Sequence, residues 1–294
     1  MDTKLSVGFL GAGTVGAALA QCLVGAGYRV VAVSSRSKAS ALRLVAQAPG
    51  ARALCNAQEV ADTAELVFVT TPDSAIPEIA GMVRWHPGQM VVHCSGADST
   101  DVLEPARAQG AWVGVFHPLQ SFATPAQALE NLPGSTFALE GESPLIEVLE
   151  RMAEALGGRS LRLRPEQKAL YHASAVIASN YLVTLTAVAA SLWQEFGVDR
   201  HEAVAALLPL VRGTVANIER VGIPDCLTGP IARGDSNTIR KHLDALASHA
   251  PALLPLYRQL GYQSVPLAVE KGALTSEKAE EIKKLLAEET AIVQ

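Results

Sequence analysis

Val7-Gly8-Phe9-Leu10-Gly11-Ala12-Gly13-Thr14-Val15-Gly16 decides the fold. It sets three glycines at G-x-G-x-x-G spacing, directly after a short apolar run and directly before a helical one. Gly11 permits a tight turn, Gly13 lets the backbone approach a bulky group with no Cβ in the way, and Gly16 lets the helix pack on the strand. A helix opened in this way presents free N–H groups and the positive end of its dipole, which suits a diphosphate. A dinucleotide is therefore expected across Gly11, Ala12, Gly13, Thr14, Val15 and Gly16.

The surrounding sequence supplies the matching frame. Short strand-like runs at 5–10, 29–33, 53–55, 65–70, 90–93 and 112–116 alternate with helical stretches such as 14–25 and 38–47, the pattern of a parallel sheet. Residues 136–139 and 160–163 read as later edge strands. Beyond Pro165 the period changes from two to 3.6, and helices are predicted at 166–196, 200–221, 237–247, 251–260 and 276–289. Asp199, Ser236 and Ser276 are the expected N-caps, and Gly197 and Gly261 the expected stops. The fold class is α/β, a Rossmann-type parallel sheet over 1–164 followed by an all-helical domain over 165–294.

The end of the second strand discriminates between dinucleotides. An acid there binds the ribose hydroxyls of NAD. This chain has Ser34-Ser35-Arg36-Ser37-Lys38 instead. Ser34, Ser35 and Arg36 suit a 2′-phosphate, because a guanidinium pairs with phosphate through two charge-assisted bonds. The expected cofactor is NADP(H). Thr70, Thr71 and Pro72 close the fourth strand and are placed on the nicotinamide side, and Asp73 beside them caps the next helix or joins the site.

Three clusters carry candidate chemistry. Ser95 and Gly96 follow a strand end, where Ser95 is suited to hold a substrate carbonyl or carboxylate. His93 lies inside that strand and reads as a packed imidazole. His117, in His117-Pro118-Leu119-Gln120-Ser121-Phe122, follows the next strand and is a general acid or base, or a loop brace. Lys168 and His172 lie one turn apart on the first long helix of the second half and present a cation and an imidazole together. A lysine desolvated in a cleft can give a proton to a carbonyl or imine that receives hydride. Tyr171 sits beside them. The segment 228–235 breaks the helical pattern and reads as a closing loop or a plain helix connection.

Composition narrows the classes. Apolar residues make up 49% and charged residues 18% of 294, with a net charge of −5. That allows a large core and offers no basic face for nucleic acid. The cysteines 22, 55, 94 and 226 have no close spacing and are expected as reduced thiols of a cytoplasmic protein. The stretch 169–194 carries no charge and has the length of a membrane span. Its histidine, asparagine, serines and threonines favour a long helix buried between domains or subunits, so no membrane partner is expected.

Residues 11–16, Ser95-Gly96-Ala97, His117 to Phe122, Lys168-x-x-Tyr171-His172-Ala173, Ser179-Asn180-Tyr181 and Thr228-Gly229-Pro230-x-x-Arg233-Gly234-Asp235 together resemble the Rossmann-like proteins that carry a C-terminal domain of unknown function, number 2520. The resemblance covers almost the whole chain. It implies an NADP-dependent oxidoreductase of unsettled substrate in the 6-phosphogluconate dehydrogenase-like superfamily, with an all-helical C-terminal domain that forms a homodimer. The β-hydroxyacid enzymes of that superfamily carry K-x-x-x-N on a helix. Lys168 matches the lysine, whereas His172 stands in place of the asparagine, which sets this chain apart from hydroxyacid chemistry.

The expected protein passes hydride between NADP(H) and a small carbonyl, imine or hydroxy compound in an interdomain cleft. Lys168 is its proton donor, His172 or His117 tunes or replaces it, and Ser95 orients the substrate. The alternative is a dinucleotide-binding sensor or scaffold without turnover.

Overall fold

The computed structural model of the protein describes residues 5–122 and 124–287. The chain divides into two compact units, Met1–Asn180 and Tyr181–Gln294. The first is built on an eight-stranded sheet of order β3-β2-β1-β4-β5-β6-β7-β8. Its strands are β1 (Ser6–Leu10), β2 (Arg29–Ser34), β3 (Arg52–Ala53), β4 (Leu66–Val69), β5 (Met90–His93), β6 (Trp112–Pro118), β7 (Thr136–Gly141) and β8 (Arg159–Arg162). Helices α1 (Thr14–Gly25), α2 (Lys38–Ala46), α3 (Ala57–Ala61), α4 (Ile76–Met82), α5 (Glu104–Arg107), α6 (Pro125–Asn131) and α7 (Leu145–Ala155) connect them, and α8 (Lys168–Ala178) closes the unit.

Period-two alternation sends side chains to both faces, and each face is covered. One face carries an aromatic row, Phe9, Phe68, Phe116 and Phe137, with neighbouring ring centroids 5.3, 5.8 and 4.7 Å apart. Leu19 and Leu23 of α1 and Leu149 and Met152 of α7 belong to the same cluster. The other face buries Val67, Val91 and Val113 under Val60, Ile76 and Ala106 of α3, α4 and α5. This is the double cover that a parallel sheet requires.

The parallel reading holds for every strand pair except β6 with β7, which is antiparallel. The connection after Pro118 places α6 against α1 and returns to the edge where β6 ended, so β7 must run back. The carboxyl ends of β1, β4, β5 and β6 thus share one edge of the sheet.

The second unit holds most of α9 (Asn180–Ser191), then α10 (Arg200–Val221), α11 (Gly229–Ala232), α12 (Ser236–His249), α13 (Leu254–Glu270) and α14 (Ser276–Ala287). Ile239, Leu243, Val265, Ala268, Ile282 and Leu286 form its core. Several local expectations change here. The predicted 166–196 helix breaks at Ser179 and ends in a tighter turn, Leu192–Phe196, before left-handed Gly197. Asp199 caps α10 as expected, but α12 is capped by Asp235, and Thr275 Oγ1 accepts from Lys278 N ahead of α14. In both cases the cap lies one residue earlier than predicted. The last two residues of the predicted 276–289 helix lie outside the described residues. Gly261 is not a stop. It lies inside α13, where a Cβ would meet Leu286 at 3.1 Å and Ile231 at 3.3 Å. Close helix packing, not helix termination, is its use. The segment 228–235 forms the short α11 and the Asp235 cap.

The segment Pro165–Phe196 is long and apolar enough to cross a bilayer by length and composition, yet only 6% of its most apolar window is buried. In α8 only Lys168 is buried.

Candidate active site

The glycine turn after β1 is built to leave room. Gly11 has φ +114°, and a Cβ there would lie 2.6 Å from the Thr70 carbonyl and 2.8 Å from Thr71 N. Gly11 N donates to Ser34 O at 2.8 Å, and Thr70 Oγ1 donates to Gly11 O at 2.8 Å. A Cβ on Gly16 would lie 2.5 Å from Thr70 Oγ1. The turn is thus clamped between β2 and β4. Gly13 has nothing within 4 Å of its Cβ position. No side chain caps α1 and no acid lies in its first turn. Thr71 Oγ1, close by, is buried without a partner. Free N–H groups, a vacant approach and an unpaired hydroxyl fit a diphosphate. Ser34 is buried, Ser35 is half-buried, and Arg36 points to solvent beyond them. Thr14, Val15 and Ala12 are half-buried along the same turn, and Pro72 is exposed at its rim.

From this turn the polar contacts run along the sheet edge. Asp73, just after β4, accepts from Ser95 Oγ at 3.0 Å, and Asp98 Oδ2 lies 2.9 Å from the same hydroxyl. Asp98 N returns a bond to Ser95 Oγ at 3.1 Å, closing a tight turn. Ser95 N donates to His93 Nδ1 at 3.1 Å, while His93 Nε2 faces Ser99 O at 3.0 Å. That pattern fixes His93 as a neutral ring with its proton on Nε2. Burial holds its pKa down to about 4. Ser95 itself is 3% exposed. Its hydroxyl and amide are both engaged in closing the turn.

Lys168 reaches the Ser95 carbonyl of that turn. Its Nζ donates to Ser95 O at 2.9 Å, and the side chain is 1% exposed. Burial lowers its pKa to about 8, against the opposing pull of Glu140, Asp98, Cys94 and Asp73. The sequence pairs Lys168 with His172 on one helical face, and the structure separates their surroundings. Lys168 points into the protein, and His172 lines a cleft.

That cleft has a volume of about 470 Å³ and is lined by His117, His172, Gln120, Ser121, Ser179 and Asn180, among others. Gly96 brings the two imidazoles together. A Cβ there would sit 2.5 Å from His172 Nδ1 and 2.8 Å from His117 Nε2. The ring centroids are 6.1 Å apart and nearly perpendicular. His117 Nδ1 bonds Tyr171 Oη at 2.9 Å. Burial pushes the Tyr171 phenol up to about 12, so it keeps its proton. Burial, with the nearby Lys168, His172 and His93, lowers His117 to about 4. His172 Nδ1 is buried without a partner. The four catalytic candidates, Ser95, His117, Lys168 and His172, therefore form one cluster, but only the two histidines face the cleft.

Asp98 and Glu140 were not singled out in the sequence. The Ser95-x-x-Asp98 spacing of a hydroxyl-closed turn is a signal for Asp98. Glu140 lies inside β7 and has no local signal.

The comparisons agree with this architecture. A Rossmann-like domain matches residues 1–118, and a domain of unknown function, DUF2520, matches residues 135–264. This chain is a Rossmann-like protein with a DUF2520 domain. No curated protein matches it. Among solved structures it is similar to a Bacteroides fragilis protein provisionally classed as an NADP oxidoreductase, with 27% identity over 89% of this chain and 98% of that one, at a TM-score of 0.72. The fold is also that of a pyrroline carboxylate reductase from Plasmodium falciparum solved with NADP bound, at 13% identity over 97% and 99% of the two chains and a TM-score of 0.59. A reductive aminase from Aspergillus terreus in complex with NADPH and ethyl-5-oxohexanoate shares it too, at 18% identity over 97% and 93% and a TM-score of 0.61.

Proposed function

We propose that this DUF2520 protein is an NADP(H)-dependent oxidoreductase acting on a small carbonyl, imine or hydroxy compound in the cleft beside His117 and His172. One observation carries the reading. An uncapped helix N-terminus with open space at Gly13 is joined, through Thr70–Asp73 and Ser95–Gly96, to a pair of imidazoles lining a cleft. The bound dinucleotide supplies or accepts the hydride. The residues of this chain do the rest. The α1 amides and Thr71 hold the diphosphate, Ser34, Ser35 and Arg36 read the 2′-phosphate, and Thr70 and Pro72 border the ring site.

His117 and His172 handle the proton at the reacting heteroatom, because they line the cleft. Lys168 and Ser95 set the turn that positions them. Burial, aided by the ammonium, keeps His117 neutral at physiological pH, so His117 can act as an acceptor or as a neutral N–H donor. NADPH oxidation with a panel of ketones, aldehydes and cyclic imines tests the reading. Turnover that falls at least 100-fold in His172→Asn and in His117→Asn supports it. The internal engagement of Lys168 favours a second reading, a dinucleotide-binding sensor. Tight NADPH binding with no turnover on the whole panel selects that one.

The helical surface bears on assembly. In the second unit Val183, Leu210 and Val215 are 70, 68 and 50% exposed. Apolar exposure on this scale marks an interaction surface, and we assign it to a second copy of the chain, as a cytoplasmic homodimer with reduced thiols. Sedimentation of wild type and Val183→Arg/Leu210→Arg checks this, with the variant expected as monomer.

A further inference from the structure

The first turn of α8 meets the sheet edge through three side chains at i, i+3 and i+4, which share one stripe of the helix. Lys168 Nζ donates to Ser95 O, Tyr171 Oη bonds His117 Nδ1 at 2.9 Å, and His172 Nδ1 comes to the Cβ position of Gly96. Lys168 and His172 have roles in the reading above, and Tyr171 has none. Yet Tyr171 holds His117 twice, by that bond and by a perpendicular ring contact with centroids 5.6 Å apart. All of these residues belong to the first unit.

The bond between phenol and imidazole can run in two directions. His117 is a neutral ring at physiological pH. One of its nitrogens then carries a hydrogen and the other a lone pair, and the bond made by one decides what the other presents. Chemistry favours the phenol as donor. It keeps its proton, it is a more acidic donor than an imidazole N–H, and an imidazole nitrogen is a more basic acceptor than a phenol oxygen. The far side of the ring agrees. His117 Nε2 and His172 Nδ1 approach one point, the Cβ position of Gly96, at 2.8 and 2.5 Å, and His172 Nδ1 is buried without a partner. With the phenol donating, the Nε2 hydrogen of His117 faces the lone pair of that nitrogen. The reverse assignment leaves the phenol hydrogen with no acceptor among the described residues, and an unsatisfied polar hydrogen is unfavourable.

We infer that Tyr171 is a positioning residue: its hydroxyl donates to His117 Nδ1, fixes that ring as the Nε2–H tautomer, and so makes His117 a hydrogen-bond donor in the cleft. The use of that donor rests on the oxidoreductase reading, whereas the tautomer does not. In that reading the Nε2–H meets the reacting heteroatom of the substrate, which selects the donor role over the acceptor role for His117.

15N NMR of the full chain labelled at histidine tests this, with the His117 signals assigned by their loss in His117→Asn. At pH 7 the expected wild-type pattern is an Nε2 that carries hydrogen and a bare Nδ1 whose signal is displaced by the phenol. Tyr171→Phe keeps the ring and removes the hydroxyl, so Nδ1 is expected to move to the position of an unbonded acceptor. Replacing tyrosine throughout by the more acidic 3-fluorotyrosine is expected to move Nδ1 the opposite way, a graded response that packing alone does not produce. A hydrogen on Nδ1 in wild type, or an Nδ1 signal indifferent to both replacements, overturns the assignment. If either variant folds poorly, the fluorinated chain both identifies the ring and tests it. On the panel of ketones, aldehydes and cyclic imines, kcat is expected to fall about tenfold in Tyr171→Phe, with KM within about twofold, for the loss of one hydrogen bond. An unchanged kcat overturns the positioning role. Wild-type protein that binds no NADPH contradicts the oxidoreductase reading, and the nitrogen signals still decide on Tyr171.

Discussion

Gly13 and Gly96 lie in turns at carboxyl ends of the same sheet and have opposite surroundings. Gly13 faces open space, in front of a helix that no side chain caps. Gly96 is pressed by two imidazoles, in a turn whose carbonyl, amide and hydroxyl are all engaged. The open turn keeps its hydrogen-bond donors for a ligand. The closed turn spends them on aligning side chains. A glycine needed for ligand approach should matter for affinity alone, whereas one needed for packing should matter for stability and geometry.

The largest expected effect belongs to the closed turn and is read by acid. His93 and His117 titrate near 4 in the fold, against about 6.5 when unfolded. Folding favours their neutral forms, so their contribution is fully present above pH 6.5 and is lost as pH falls through 4. The loss is on the order of 3 kcal/mol for each ring. Urea unfolding at pH 7 and pH 4 should show it, and His117→Asn should flatten part of the slope. An equal slope in wild type and variant would place His117 outside the closed cluster.

Next comes the phosphate reader of the open turn. Arg36→Ala should weaken NADPH by roughly 1.5–3 kcal/mol, about 10- to 150-fold, and leave NADH nearly unchanged. Equal losses for both would remove Arg36 from that role. Gly96→Ala should destabilise the first unit by about 1–3 kcal/mol, because two rings must move for one methyl group. NADPH affinity should change little. Gly13→Ala is the mirror case and the smallest in stability, since φ is −74° and nothing opposes the methyl group. Its melting temperature should match wild type while NADPH binding weakens. If Gly96→Ala lost affinity and Gly13→Ala lost stability, the contrast between the two turns would be reversed.

How much was legible in the sequence follows the same division. The open turn is local: glycine spacing, a strand before it and a helix after it place Gly11, Gly13 and Gly16 without any distant contact. The closed cluster draws on three strand ends, those of β4, β5 and β6, and on α8. Its members Ser95, His117, Lys168 and His172 were identifiable as residue types at strand ends and on a helix face. Their orientations were not, because helical spacing puts Lys168 and His172 on one face but does not say which of them meets the sheet. Gly261 was misread for a related reason. A glycine in a helical pattern reads as a stop until the neighbours that need its missing side chain are known. Glu140 and its anchor Thr100 are 40 residues apart, and only the folded chain reveals that they meet.

The central claim is that the bare α1 amides seat a diphosphate. Fluorescence titration of the purified protein with NADPH tests it most directly, with Gly13→Glu as the blocked partner. Saturable binding to wild type that is abolished by Gly13→Glu at unchanged melting temperature is the expected result. No binding to wild type, or equal binding to both, would contradict the account.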